Sequence, residues 1–212
     1  MIEQLACKLG RNDEGPNIEL AERLVQNNDA DGVAEIIEGF KGDDKAVASD
    51  CIKVLYEAGA RKPELVCGYA DDFILGLCSR NNRLVWGSMM ALARIVELAP
   101  RQIYEKLDEV KSAYEKGSTI TVDNSVSVFA GLCKQGGDYA EATLPLLLGH
   151  LQKCRPKEIP QHAERMSVCF GPENARAFIA ILEERNPCLA APQQARVNRL
   201  LKKLYGMSES ID

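Results

Sequence analysis

An apolar stripe returns along this chain at intervals of 38, 37 and 37 residues, and few folds satisfy such a period. Its first clear copy lies in DDKAVASDCIKVLYEAG, where Val47, Cys51, Val54, Leu55 and Ala58 fall on one face of a helix. The stripe returns as Val85, Met89, Leu92, Ala93 and Val96, then as Val122, Val126, Phe129, Ala130 and Cys133. A fourth copy is Ile159, Ala163, Met166, Ser167 and Phe170. A fifth follows after a shorter step as Val197, Leu200, Leu201 and Leu204, with Gln193 in the first apolar place. We call these the B helices.

Between the copies runs a second ladder of A helices: Val33, Ile36, Ile37 and Phe40; Ala70, Phe73, Ile74 and Leu77; Leu107, Val110, Lys111 and Tyr114; Leu144, Leu147, Leu148 and Leu151; Phe178, Ile181 and Leu182. About eight residues part the end of each A stripe from the start of the next B stripe, enough for a tight turn between antiparallel helices. The turn chemistry agrees. Asp43 and Asp44, Asn81 and Asn82, and Ser118 and Thr119 stand where a B helix needs an N-cap acceptor. Pro63, Pro100, Pro156 and Pro172 fall in or beside the turns, while Pro145, Pro160 and Pro192 call for first-turn positions. Upstream, Ile2 to Leu9 and Ile18 to Val25 read as one more helix pair, and the tail 207–212 as flexible. Strand signals are weak: TITVDNSVSV is β-branched but short, and no Asn-Gly or Asp-Gly turn joins two alternating segments.

A fixed period carrying one helix hairpin marks an array in which no unit can bury its stripe alone. Asp44, Val47, Cys51, Val54, Leu55, Ala58 and the closing Gly59 together resemble the second helix of a HEAT repeat. The chain as a whole is similar to HEAT or armadillo-type helical repeat proteins. The arginine that often follows the valine is here Ala48, Trp86, Asp123 and Pro160, so the usual ladder between repeats is missing. The resemblance implies an all-α fold, a right-handed α-α superhelix of about six antiparallel helix pairs with no sheet. One domain over 1–206 is expected, with Val47, Leu55, Val85, Met89, Leu92, Phe129, Leu147, Leu148 and Met166 in its core.

Eight widely spaced cysteines with no CxxC fit reduced, packed thiols rather than a disulfide framework. With no signal-like N-terminus and no long apolar run, they lead us to expect a cytoplasmic monomer that does not engage membranes. A net charge of −5 disfavours a general nucleic-acid partner, which needs clustered Lys and Arg.

Catalytic candidates are few. No phosphate-cradling glycine loop, HExxH or GxSxG occurs. His150 and Cys154 are four apart on an A helix, on the side away from Leu147, Leu148 and Leu151; two ligands do not make a metal site, so an exposed histidine beside a half-exposed cysteine is expected. Glu158, His162, Arg165 and Cys169 share one face of a B helix and read as a solvated face. No cofactor, metal ligand or catalytic residue is therefore assigned.

Charge distribution says more. The five B helices carry eleven basic against seven acidic residues, whereas the A helices are acidic. In HEAT arrays the B helices generally line the concave surface, which here becomes a mildly basic groove with Lys53, Arg83, Arg94, Arg165, Arg199 and Lys202 as binding candidates. Trp86, one residue past a core position, is a candidate anchor at its edge. The expected function is a non-catalytic protein-binding scaffold or adaptor that holds an acidic or amphipathic segment of another protein. The alternative is a DNA-binding or DNA-repair enzyme resembling the HEAT-like alkylpurine DNA glycosylases, for which Asp123 is the one obvious mid-groove acid.

Overall fold

The computed structural model describes residues 1–171 and 174–208, the side chains of 207 and 208 excepted. Among them run twelve α-helices and several short 3-10 turns, with no strand. The helices are α1 (Gly15–Asn27), α2 (Ala30–Lys41), α3 (Lys45–Arg61), α4 (Ala70–Leu77), α5 (Asn82–Ile95), α6 (Pro100–Glu105), α7 (Leu107–Lys116), α8 (Thr119–Cys133), α9 (Gly137–Lys153), α10 (Ile159–Met166), α11 (Arg176–Arg185) and α12 (Ala191–Ser208). The B stripes lie on α3, α5, α8, α10 and α12, and the A stripes on α2, α4, α7, α9 and α11. The chain folds as two compact units, Met1–Val128 and Phe129–Asp212, the boundary falling within α8. Pro172 and the tail from 209 onward lie outside the described residues.

In the first unit α1, α3 and α5 pack side by side, and α2 and α4 cover the other side of α3 and α5. The caps form as the turn residues dictate. Asp44 accepts from the backbone N–H of Ala46 and Val47, Asn81 from that of Arg83, and Asp29 from that of Gly32. The stripe of α3 is wholly buried, from Val47 through Cys51, Val54 and Leu55 to Ala58. Helices α3 and α5 approach closely at Gly87, where a Cβ would meet Ile52 Cγ1 at 2.7 Å.

Three local expectations are corrected. Ile2–Gln4 is a single 3-10 turn followed by hydrogen-bonded turns, so α1 has no complete A-type partner. Pro145 sits well inside α9 rather than in its first turn, while Pro160 and Pro192 take early positions. Val85 and Leu148 are only half-buried, the former because it borders a groove of about 820 Å³ beside Leu77, Asn82, Asp108, Glu109 and Ala113.

The second unit places α9 against α10 and α11, and α12 against α10 and α11. Met166, Ala163 and Ile159 of α10 are buried, as are Phe178 and Leu182 of α11. Phe170 stacks on Phe178 with centroids 4.1 Å apart and planes 5° from parallel. The buried face of α9 is Thr143, Leu147, His150 and Leu151, rotated from the leucine stripe. Thr143 meets the requirement of a buried hydroxyl by donating to the Tyr139 carbonyl at 2.6 Å. All eight cysteines are free thiols.

Candidate functional site

The seven residues assigned from sequence meet different fates. Lys53 is buried, with 6% of its surface exposed, and is not presented to a partner. Its ammonium lies 2.9 Å from Glu14, at the N-cap of α1, and 2.9 Å from Glu57, one turn along α3. It also sits 4.9 Å from the centre of the Tyr56 ring. Burial alone would depress the Lys53 pKa, but the hydrogen bonds it donates to Glu14 and Glu57 more than reverse this and hold it above the ordinary lysine value. Glu14 is held below the usual carboxylate range, first by its hydrogen bond from Lys53. Burial would raise Glu57, yet Arg61 and Lys53 together bring it down.

Arg83 of α5 reaches the same carboxylate, donating to Glu14 at 2.8 Å. It also donates to the Ser49 carbonyl of α3 at 3.3 Å and lies over the Trp86 ring at 5.7 Å. At the far end Arg61 binds Glu57 and Glu22, the latter at 3.0 Å. The outcome is a ladder across three successive B-type helices, running Arg83, Glu14, Lys53, Glu57, Arg61, Glu22 with alternating charge. Sequence reasoning missed it because Glu14 and Glu22 belong to α1, which the charge count of the five clear B helices left out.

Trp86 is half-buried, its ring 5.9 Å from that of Tyr56 and tilted by 49°. Arg94 is exposed and, among the described residues, forms no ion pair; its stem lies beside Gly59 of α3. In the second unit Arg165 is half-buried, while Arg199 and Lys202 are exposed. Arg196 grips Glu164 through two hydrogen bonds, which holds that carboxyl below its ordinary value. Lys202 borders a groove of about 620 Å³ with Glu183, Leu201 and Tyr205, and the Tyr205 hydroxyl donates to Glu183.

Two thiol and imidazole groupings of the second unit differ from their expected surroundings. His162 is fully buried, and His150 and Cys154 each keep only 8% exposure, so neither helix face is solvated there. His150 Nε2 lies 2.8 Å from His162 Nδ1. Burial pushes the Cys154 thiol up to about 11, against a lowering influence from Arg185. Cys169, on the face shared with His162, donates to the Ala130 carbonyl at 3.4 Å and also meets Cys133. The hydrogen bond between the two thiols lowers Cys133, against burial, and raises Cys169.

No helix among the described residues is long and apolar enough to cross a membrane. No family model matches the sequence, and no curated protein matches it either. Solved structures do. A designed armadillo repeat protein is similar at a TM-score of 0.65 and 13% identity, covering 96% of this chain and 100% of its own. Two engineered proteins of a structural genomics consortium are similar at TM-scores of 0.70 and 0.68, each at 14% identity. The first covers 97% of this chain and 96% of its own length, and the second 96% and 58%. At such identities the likeness shows the fold alone, an all-helical repeat fold similar to that of the designed armadillo protein.

Proposed function

We propose that the chain is a non-catalytic scaffold or adaptor, whose exposed B-helix face takes an acidic or amphipathic segment of another protein. The side-by-side packing of α1, α3 and α5, locked by the Glu14 and Lys53 ladder, carries this reading. A surface fixed in that way loses little conformational freedom on binding, which is the main cost of association that a receptor can remove in advance. The ladder is internally compensated, so Lys53 and Arg83 position the surface rather than attract a ligand. Attraction falls to Arg94 beside the half-buried Trp86 in the first unit, and to Arg199 and Lys202 in the second. The partner is a protein segment rather than nucleic acid, because a net charge of −5 and so few uncompensated cations give little phosphate neutralisation.

The test is selection from a displayed peptide library containing acidic amphipathic sequences and their basic counterparts. Acidic peptides should be enriched. Their binding should fall in Arg94→Glu or in the pair Arg199→Glu and Lys202→Glu, each charge contributing about 1 kcal/mol or less. Raising ionic strength from roughly 0.1 to 1 M, which cuts the screening length from about 10 to 3 Å, should weaken it further. Enrichment of basic peptides, or acidic binding unchanged in both variants, would overturn the reading.

A further inference from the structure

The second unit draws two imidazoles and a thiol together where the chain has only two histidines. His150 stands in the last turn of α9 and Cys154 is the C-cap of the same helix, and His162 faces them from α10. The ligand atoms of all three lie within 4.8 Å of one another, and the imidazole nitrogens are 2.8 Å apart. Burying two imidazoles costs desolvation of ring nitrogens, and packing alone is achieved more simply by leucine. Nitrogen, nitrogen and sulfur converging in a buried place is the donor set of a tetrahedral zinc site.

From this geometry we propose that His150, Cys154 and His162 bind one zinc ion, which clasps α9 to α10. Two nitrogens each about 2.0–2.1 Å from a tetrahedral ion stand roughly 3.3 Å apart, and nitrogen to sulfur about 3.6 Å. The imidazoles therefore open by about half an ångström and the thiol closes by about 1 Å, movements within reach of side-chain rotation. The Cys154 thiol gives its proton to solvent as the Zn–S bond forms. The hydrogen bond between His150 Nε2 and His162 Nδ1 is given up: the ring that donates in it takes the other tautomer, its proton passing through solvent to its other nitrogen, and the two nitrogens then both turn lone pairs to the ion. Water or Glu158 completes the tetrahedron. Glu158 lies close enough for His162 to influence its charge, and at present accepts from Arg155. Arg185 opposes the cation by charge but favours the thiolate, and it fixes the local backbone by donating to the Leu151 and Cys154 carbonyls at 2.8 and 2.9 Å. The small residual exposure of His150 and Cys154 gives the ion its way in. Harder cations such as magnesium and calcium, which require oxygen ligands, are excluded by the donor set.

The test is titration of the chelator-treated, reduced full-length chain with cobalt, a spectroscopic substitute for zinc, followed by zinc displacement. One cobalt per chain should bind with the intense visible bands of tetrahedral coordination and a thiolate-to-cobalt charge-transfer band. Zinc should remove both. Cys154→Ser should abolish the charge-transfer band and weaken binding by at least about 100-fold, since loss of an outer-sphere partner alone costs about 10–100-fold. Cys188→Ser, at an exposed thiol, should bind as the parent does. X-ray absorption of the zinc-loaded parent needs no variant and should show two imidazole nitrogens and one sulfur near 2.3 Å. A weak octahedral cobalt spectrum, a band that survives in Cys154→Ser, or a zinc shell with no sulfur or with two would overturn the proposal.

Discussion

Lys53 shows how a residue that looks like a surface cation becomes part of the interior. It stands opposite the α3 stripe, yet the neighbouring helix α1 covers it and brings Glu14 to its ammonium. Two carboxylates share the work. Glu14→Gln leaves Lys53 with Glu57, and Glu57→Gln leaves it with Glu14, so each should cost only about 1 kcal/mol, particularly as Glu14 is 43% exposed and screened by solvent. The double change strands a buried ammonium and should cost more than the two singles together, by about 1–2 kcal/mol. Urea melts of the four proteins measure this, and strict additivity would show that the ladder is ornamental. The pH dependence has a definite sign. Both carboxyls are lowered on folding, so their stabilisation is complete above the ordinary carboxylate value and is lost as pH falls through their folded values. Stability should therefore decline into acid more steeply in the parent than in the double variant. Of the sequence-assigned site, the positions of Arg94, Arg199 and Lys202 were legible because they depend only on helical phase. Lys53 was not, since its fate depends on a residue 39 positions away that no periodicity connects to it.

At the scale of elements the stripes told most of the story. Even TITVDNSVSV, rich in β-branched residues, folds into α8, because Ser118 meets its first turn and Val126, Phe129, Ala130 and Cys133 need one buried face. Where the reading slipped, a stripe offered two nearly equal phases. In α9 the leucines at 144, 147, 148 and 151 suggested one face, but the helix buries Thr143, His150 and Cys154 beside Leu147 and Leu151. Composition cannot rank a histidine above a leucine for burial; only the facing His162 does that. Close approach between helices was equally invisible. Gly87 lets α5 settle onto Ile52 of α3. Alanine there would gain about 1 kcal/mol of helix propensity. It would also push a methyl to 2.7 Å from Ile52 Cγ1, an overpacking that costs typically about 1–3 kcal/mol. We expect Gly87→Ala to be destabilised by about 1 kcal/mol net in urea, and Gly87→Ala combined with Ile52→Val to recover part of that loss. No recovery would place the strain elsewhere.

For the whole molecule, the repeat architecture fixes how far such a disturbance travels. Within each unit the helices contact their neighbours in the chain, and in repeat folds stability is approximately a sum of local terms and nearest-neighbour interfaces rather than a single all-or-none quantity. Residues cluster into Met1–Val128 and Phe129–Asp212, and the two sets of layers keep their own cores, around Phe73, Leu55 and Met89 in one and Phe178, Leu182 and Met166 in the other. Destabilising α5 should lower the free energy of opening for the elements that share its core before it affects those that do not. Hydrogen exchange followed by mass spectrometry on Gly87→Ala tests this directly. Amides of α3, α4 and α5 should exchange severalfold faster, about fivefold for each 1 kcal/mol lost. Amides of α9, α10 and α11 should keep their parental rates. Zinc, by the proposed clasp on His150, Cys154 and His162, should do the converse and slow exchange in α9 and α10 while leaving α3 and α5 unchanged. A uniform acceleration across all helices in Gly87→Ala would mean that the chain opens as one cooperative body, and the division of its stability into two locally packed cores would then be wrong.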